Sequence, residues 1–219
     1  MIYRIYEWLI RRELQKLPGT ICVMISKSDM EDAPEKLFDC TLWCREISEE
    51  MSRQNDSGTG DAQNALSQEG AIRSLTFHIG AKDPESMKRY LPAIRRIASI
   101  ARLTLHCGDR EEVLGQGMDV MVAVGMSGRE EITRCIRRMA KENIDPASVD
   151  EALIDSHLTF RYMPDIVIKT GGDHLTDFLI WQSVYSELYF SDVNWKWFRK
   201  VDFLRILRDY QSRARRFGT

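Results

Sequence analysis

Short apolar runs alternate along this chain with longer segments in which apolar residues recur every three or four positions. Short runs rich in Val and Ile are typical of strands buried on both faces of a parallel sheet. Five such strands are predicted, at 21–25, 75–79, 102–106, 119–124 and 165–168. Because helical patterns separate most of them, their order predicts an α/β fold, with a single open, mostly parallel sheet flanked by helices.

Helices are predicted where the apolar spacing approaches 3.6 residues. Residues 1–17 place Ile, Leu and Tyr on one side and Arg on the other, which predicts an amphipathic helix ended by Pro18-Gly19. This helix either packs on its own domain or rests on a bilayer with its Trp and Tyr side chains at the interface. Further helices are predicted at 35–50, 84–101 and 129–143, and one more after Asp145-Pro146.

One segment departs from these patterns. Residues 48–70 are rich in Ser, Gln, Asn, Asp and Gly and contain few apolar side chains. Such a composition buries little apolar surface, so it predicts a mobile polar insertion. Apart from this insertion, the chain is expected to form a single domain over residues 1–219.

Composition and charge narrow the class of protein. The chain has 219 residues, of which 43% are hydrophobic and 29% charged, and this fits a folded domain with a core. A net charge of −2 gives no electrostatic reason to expect a nucleic-acid partner. Five cysteines, an odd number, and no recognisable signal peptide predict free thiols in a reducing cytoplasm. No run of 18 apolar residues is present, so no membrane span is predicted.

Two glycine-bearing turns follow predicted strands, at 125–128 and 170–172. Each is expected to lead into a helix whose first backbone N–H groups have no partner within the helix. Such turns suit an anion, in particular a diphosphate, although an ordinary glycine-rich connection gives the same pattern. The best-defined nucleotide, zinc-protease and hydrolase motifs are absent from the sequence.

The C-terminal part of the chain resembles the signature of cis-prenyltransferases, the undecaprenyl diphosphate synthase family. The matching segments read PDIVIKTGGDH, FLIWQSVYSELYFSDVNW and DYQSRARRFG. Looser matches are LTLHCGD, VAVGMSGREEI and DPASVDEALIDSHL, so the resemblance covers most of the chain except 48–70. It implies an α/β fold and a reaction between isopentenyl diphosphate and an allylic diphosphate, with magnesium as the cofactor.

The chain departs from the family at the end of the first strand. Family members carry there a motif of Asp-Gly-Asn-Arg-Arg type, whose Asp handles magnesium and the diphosphate of the allylic primer. Here Ser26 stands in the place of the Asp, and no arginine follows. A serine cannot do the work of that carboxylate, so no catalytic residue is expected in this motif. Asp29 could replace it only in a shifted register.

The rest of the family's diphosphate site is partly kept. Lys169 stands in the place of an arginine and Thr176 in the place of a serine, while Gly171 and Gly172 are retained. These four residues are the candidates for residual diphosphate binding. Glu187 matches an acidic metal residue of the family, but one carboxylate without a partner is a weak magnesium site.

The family's dimer interface and C-terminal motif are retained more fully. The aromatic side chains that match the interface helix of the family are Phe178, Trp181, Tyr185, Tyr189 and Phe190. At the chain end, Arg216 and Gly218 match a motif that, in heteromeric relatives, reaches across the dimer to the isopentenyl diphosphate of the other subunit. A lost pocket with a kept interface and tail resembles the non-catalytic subunit of a heteromeric cis-prenyltransferase.

Three hypotheses follow from these residues. The first is an activating subunit that pairs with a homologous catalytic subunit, which holds most of the magnesium site, to make a long-chain polyprenyl diphosphate that carries glycosyl groups. The second is a divergent, active homodimer that uses Lys27, Asp29, Lys169 and Glu187. The third is a protein that binds a prenyl lipid without reaction. A cytoplasmic location is expected, with peripheral contact to the membrane through the N-terminal helix.

Overall fold

The computed structural model describes residues 2–56, 71–81, 83–108, 110–125, 127–161, 163–172, 179 and 181–213. Within this described part, the strands form one seven-stranded sheet in the order β4-β3-β5-β2-β1-β6-β7. All neighbours are parallel except β3 and β4. The open, mostly parallel α/β sheet predicted from the sequence is therefore confirmed. The strands are β1 Thr20–Ser26, β2 Ser74–Gly80, β3 Arg102–Cys107, β4 Arg110–Leu114, β5 Asp119–Val124, β6 Ile166–Thr170 and β7 Glu187–Ser191.

Helices flank the sheet in the described part of the chain. They are α1 Ile2–Glu13, α2 Lys27–Asp32, α3 Lys36–Asp56, α4 Leu91–Arg95, α5 Gly128–Lys141, α6 Glu151–His157 and α7 Lys200–Ser212. The main core lies on the face of the sheet that carries Val23 and Phe77, and Trp195 and Phe203 are fully buried in it. α1 packs against α7, where Arg208 pairs with Glu13 at 3.2 Å.

The predicted helix at 84–101 is broken into three pieces. A 3-10 helix spans Pro84–Tyr90, α4 follows, and a second 3-10 helix spans Arg96–Ser99. Pro92 explains the break, because it has no N–H to donate and its ring clashes with the preceding turn of a continuous α-helix.

The predicted polar insertion begins later than its composition suggests. α3 continues to Asp56, and Met51 is buried within it. Ser48 is also held, since its hydroxyl accepts a hydrogen bond from the Ile72 backbone N–H at 3.0 Å. The helix therefore continues through the polar stretch, with Met51 buried and Arg53 exposed, and 57–70 lie outside the described residues.

β4 was not predicted from the sequence. It pairs with β3 in a hairpin whose link is only residues 108–109, because Cys107 faces Arg110 in the register. Gly108 adopts a left-handed conformation with φ of 63°, which suits this tight turn. The chain then passes from β4 to β5 without a helix, although β3 and β5 are parallel neighbours.

β7 occupies the second half of the aromatic segment that matches the family's interface helix and was therefore expected to be helical. Residues 181–185 form turns, and Glu187–Ser191 then pairs in parallel with β6, with Glu187 opposite Ile166. Side chains alternate along this strand, so Leu188 and Phe190 are exposed while Ser191 is buried. The aromatic spacing is therefore that of a half-buried edge strand rather than a helix.

Candidate functional site

The carboxyl ends of β1, β2 and β6 meet at one edge of the sheet. β1 pairs in parallel with both neighbours, so Ser26 lies beside Gly80 in the register, and Met24 lies beside Lys169. In open α/β sheets ligands bind at this edge, beyond the carboxyl ends of the strands. The residues that end these strands are therefore the candidate site.

Ser26 serves as the N-cap of α2. Its hydroxyl accepts a hydrogen bond from the Asp29 N–H at 3.2 Å and donates one to the Asp29 carboxylate at 2.7 Å. The same carboxylate oxygen accepts a hydrogen bond from the Ser26 N–H at 2.9 Å. Both side chains are thus occupied in a capping box. Asp29 is therefore poorly placed to replace the family's aspartate in a shifted register.

The end of β6 retains only part of a diphosphate cradle. The Lys169 ammonium donates to its neighbouring carbonyl, that of Thr170, at 2.7 Å. The Gly171 N–H donates to the Ser191 carbonyl at 3.0 Å, and its φ of 65° is left-handed. Gly172 is exposed, with φ of 150° and open space around the position of a Cβ.

Thr170 adds a group that sequence reasoning did not single out. Its hydroxyl is fully buried at the end of β6 and has no hydrogen-bond partner within the described chain. A buried hydroxyl without a partner is destabilising, which is a signal that only the folded chain reveals. Thr176, the remaining predicted member of this cradle, lies outside the described residues.

Glu187 lies at the amino end of β7, whereas Ser26 lies at the carboxyl end of β1. The register places it level with Ile166 and Ile21, five residues before Ser26. At about 3.3 Å per residue this separates Glu187 from the carboxyl edge by roughly 17 Å. Its carboxylate instead pairs with Arg213 at 3.4 Å. Within the described residues of one chain, the register keeps Glu187 away from the other candidate site residues, and its metal-binding role stays a prediction.

The described residues at the carboxyl edge do not supply the donor set of a magnesium ion. Magnesium needs oxygen ligands in near-octahedral geometry, usually including one or two carboxylates. In the described part of the chain, no three His, Cys, Asp or Glu side chains come together as a possible metal site. Asp29, the carboxylate nearest to the end of β1, is held in the cap of α2.

The predicted interface residues divide into two groups. Tyr185 and Phe190 are 54% and 41% exposed, as an interface requires in the separate subunit. Trp181 and Tyr189 are half-buried and face their own chain, since Trp181 Nε1 donates to Asp155 at 2.6 Å and Tyr189 packs on the main core. Phe178 lies outside the described residues.

Two aliphatic residues complete this exposed surface. Val184 is 65% exposed and Leu188 is 37% exposed. We define the β7 surface as the four exposed apolar residues Val184, Tyr185, Leu188 and Phe190. Exposed apolar side chains on and just before an edge strand are typical of a surface that another chain covers. The predicted tail residues Arg216 and Gly218 lie outside the described residues, which end at Arg213.

α1 presents a second exposed apolar stripe. Ile5, Trp8 and Leu9 are exposed at helical spacing, while Ile10 and Leu14 are buried on the other side. The Arg12 guanidinium lies over the Trp8 ring, 4.7 Å from its centroid. None of the helices in the described ranges is long and apolar enough to cross a membrane. The helix is therefore packed on its own domain on one side and uncovered on the other.

Known proteins resemble this chain in sequence. The family model of the prenyltransferases of undecaprenyl diphosphate synthase type matches residues 97–218, which is more than half of the chain. Isoprenyl transferase 1 of Corynebacterium efficiens is 29% identical over 100% of this chain and 97% of its own length. The tritrans,polycis-undecaprenyl-diphosphate synthase of Methanocaldococcus jannaschii is 45% identical over 45% of this chain. That match spans only 39% of the archaeal protein, and a Thermus thermophilus isoprenyl transferase is matched over 43% of its length.

Solved structures share the fold at lower identity. A lavandulyl diphosphate synthase from Lavandula x intermedia, in complex with dimethylallyl diphosphate, has a TM-score of 0.55 and 21% identity over 93% of this chain and 99% of its own. A probable undecaprenyl diphosphate synthase from Campylobacter jejuni has a TM-score of 0.57 and 19% identity over 94% and 100% of the two chains. At these identities the likeness is one of fold.

Proposed function

Because the chain belongs to the undecaprenyl diphosphate synthase family of cis-prenyltransferases, we propose that it is a non-catalytic, activating subunit of a heteromeric polyprenyl diphosphate synthase. The family uses isopentenyl and allylic diphosphates as substrates. The observation that carries the proposal is the end of β1, where Ser26 and Asp29 are occupied in a helix cap and no arginine follows. Ionisation of an allylic diphosphate leaves an anion that a metal ion and cations must stabilise, and the described end of β1 offers neither a free carboxylate at Ser26 or Asp29 nor an arginine after them.

The partner in this proposal is a homologue with the complete aspartate and arginine motif. We expect that homologue to hold the magnesium ion, because the described residues of this chain bring no three His, Cys, Asp or Glu side chains together as a metal site. The exposed β7 surface supports pairing with such a homologue, since an edge strand with apolar side chains suits a second sheet of the same fold. The product of the complex is a long-chain polyprenyl diphosphate that serves as a glycosyl carrier lipid.

The chain keeps a supporting role toward diphosphate. Lys169, Gly171, Gly172 and Thr176 provide residual contacts at the carboxyl edge. In this proposal, Arg216 and Gly218 serve the isopentenyl diphosphate that the partner holds. Arg216 is suited to that role because a guanidinium grips phosphate oxygens in a bidentate manner.

The exposed stripe of α1 supports peripheral contact with the cytoplasmic face of an anionic membrane. Ile5, Trp8 and Leu9 supply the apolar side, and Arg4 and Arg12 are exposed beside them. A Trp8→Glu variant should co-sediment less with anionic liposomes than the unmodified chain while keeping its fold. Equal co-sedimentation would exclude the contact.

A second candidate function is an active enzyme formed by two copies of this chain. It is favoured by the Corynebacterium efficiens relative, which matches the full length of the chain and is described as an isoprenyl transferase. The β7 surface would then be covered by an identical copy.

One assay separates the two functions. The purified chain is incubated with labelled isopentenyl diphosphate, farnesyl or geranylgeranyl diphosphate and magnesium, alone and after co-expression with a homologue from the same cell that carries the complete motif. We expect polyprenyl product only from the co-expressed pair. Product from the chain alone would support the active homodimer. Ser26→Asp should not create activity in the isolated chain, because the new carboxylate would face Asp29 within the cap and the arginines would still be missing.

A further inference from the structure

Arg213 connects the end of α7 to the edge strand β7. Its Nε donates to the Asp209 carboxylate at 2.7 Å, within its own helix. Its Nη1 donates to the Leu188 carbonyl at 3.1 Å and to Glu187 Oε2 at 3.4 Å, both on β7. The guanidinium also lies over the Tyr189 ring, 5.6 Å from its centroid. One side chain thus ties the last described residue to three successive residues of the strand.

These contacts lie on the outer side of β7. The Glu187 N–H and the Ser191 carbonyl both hydrogen-bond toward β6 and its following turn, at 2.9 and 3.0 Å. Backbone groups of successive strand residues point to opposite sides, so the Leu188 carbonyl points away from β6. Arg213 therefore binds the open edge of the sheet, beside the exposed side chains of Leu188 and Phe190.

The other arginines on the outer side of α7 are held differently. Arg208 pairs with Glu13 of α1 at 3.2 Å, and Arg205 pairs with Asp202 of its own helix at 3.4 Å. Neither of these two pairs involves β7. Arg213 is thus distinguished from its neighbours by contact with the strand that carries the β7 surface.

The position of Arg213 limits where Arg216 can act. Three residues span at most about 10 Å even when fully extended. If the backbone at 213 is fixed at the open edge of β7, Arg216 is delivered to whatever chain covers that edge. If the Arg213 side chain is released from β7, the start of the tail is held only by the end of α7.

We propose that Arg213 is a positioning residue that fixes the start of the C-terminal tail at the subunit interface, with Asp209 as its nearer counterion and Glu187 as the one on β7. This inference rests on the proposed function, since the tail acts on the isopentenyl diphosphate of the partner. It reassigns Glu187 from metal binding to placement of the tail. Several charge-assisted hydrogen bonds from one guanidinium, to Asp209, Glu187 and the Leu188 carbonyl, make this clasp more directional than a single surface ion pair.

The test uses the co-expressed complex with three variants of this chain. Arg213→Ala should leave the complex assembled by size exclusion and raise the KM for isopentenyl diphosphate about five- to tenfold, the loss expected for one charge-assisted contact. Arg213→Lys should recover part of the loss, because it keeps the charge near Glu187. Arg208→Ala is the matched control on the same helix, and its KM should stay unchanged.

A magnesium titration separates the two roles of Glu187. If Glu187 anchors Arg213, then Glu187→Gln raises the KM for isopentenyl diphosphate without changing the magnesium concentration that gives half-maximal rate. A changed magnesium requirement, an unchanged KM in Arg213→Ala, or failure of that variant to assemble would each overturn the anchor. A complex that is inactive with the unmodified chain would instead overturn the proposed function.

Discussion

The two edges of the sheet are built in opposite ways. β4, at one edge, is antiparallel and carries charged residues, with Glu112 bound by Arg95 at 2.9 and 3.0 Å and Glu111 placed 3.6 Å from His106. β7, at the other edge, is parallel and exposes Leu188 and Phe190. Charges on an edge strand oppose pairing with another sheet, whereas apolar side chains favour it. Among the described residues, the charges of β4 therefore oppose pairing at one edge strand, whereas the apolar side chains of β7 favour contact with another chain at the other.

The strongest test of this contrast places a charge on β7. Phe190→Asp should weaken association with the catalytic homologue at least about 30-fold, because a central interface residue typically contributes 2 kcal/mol or more. The dissociation constant, measured by calorimetry, gives the effect. Val113→Asp on β4 is the matched control, since Val113 is 49% exposed on the opposite edge. Equal effects of the two substitutions would contradict the assignment of the interface to β7.

A second experiment removes charge from β4. Glu111 is exposed and lies on the same side of the strand as Val113, so Glu111→Val creates a short apolar edge. We expect this variant to self-associate more strongly than the unmodified chain at the same concentration, as measured by sedimentation velocity. Glu111→Lys keeps a charge and should behave as the unmodified chain does. If both variants associate equally, the charge on this edge is not what prevents pairing.

The smallest predicted effect concerns two histidines, one toward each edge. His157 ends α6, the helix whose Asp155 holds Trp181 before β7, and its hydrogen bond to Glu142 raises the pKa of His157. His106 faces Glu111 of β4, and burial lowers the pKa of His106. The two shifts give opposite dependences of stability on pH.

Their signs follow from which state binds the proton more tightly. The His157 contribution is fully present below its unfolded pKa of about 6.5 and is lost as pH rises through the higher folded pKa. The His106 contribution is present above about 6.5 and is lost as pH falls toward the lower folded pKa. Melting temperatures of His157→Gln and His106→Gln between about pH 5 and 8 test this. The cost of His157→Gln should be largest in acid, and that of His106→Gln largest in base. Parallel pH profiles would contradict both assignments.

The central strands could be predicted from the sequence, while the edge strands could not. β1, β2 and β5 are buried on both faces, so their residues form apolar runs that are visible without any partner. β4 mixes Arg, Glu and Val, and β7 has aromatic spacing that also fits a helix. Their strand character depends on pairing with β3 and β6, which lies outside the local sequence.

In the candidate site, too, local features could be predicted from the sequence, whereas features that depend on distant elements could not. The sequence itself shows the loss of the aspartate motif at Ser26. The pattern Ser26-Lys27-Ser28-Asp29 is typical of a helix cap, and the structure shows that cap at the start of α2. The location of Glu187 depends on the register of β7 on β6, because a shift of the pairing by one residue would move Glu187 to a different position beside β6. The clasp of Arg213 depends on where α7 ends in space, and no local pattern reports that.

The packing of α1 on α7 has a consequence for biosynthesis. About 190 residues separate these two helices. At the usual rate of translation, α1 is therefore synthesised roughly 10 to 40 seconds before α7. During this time α1 lacks the contacts that α7 makes with it in the folded chain. Docking of α1 is thus a late step of maturation.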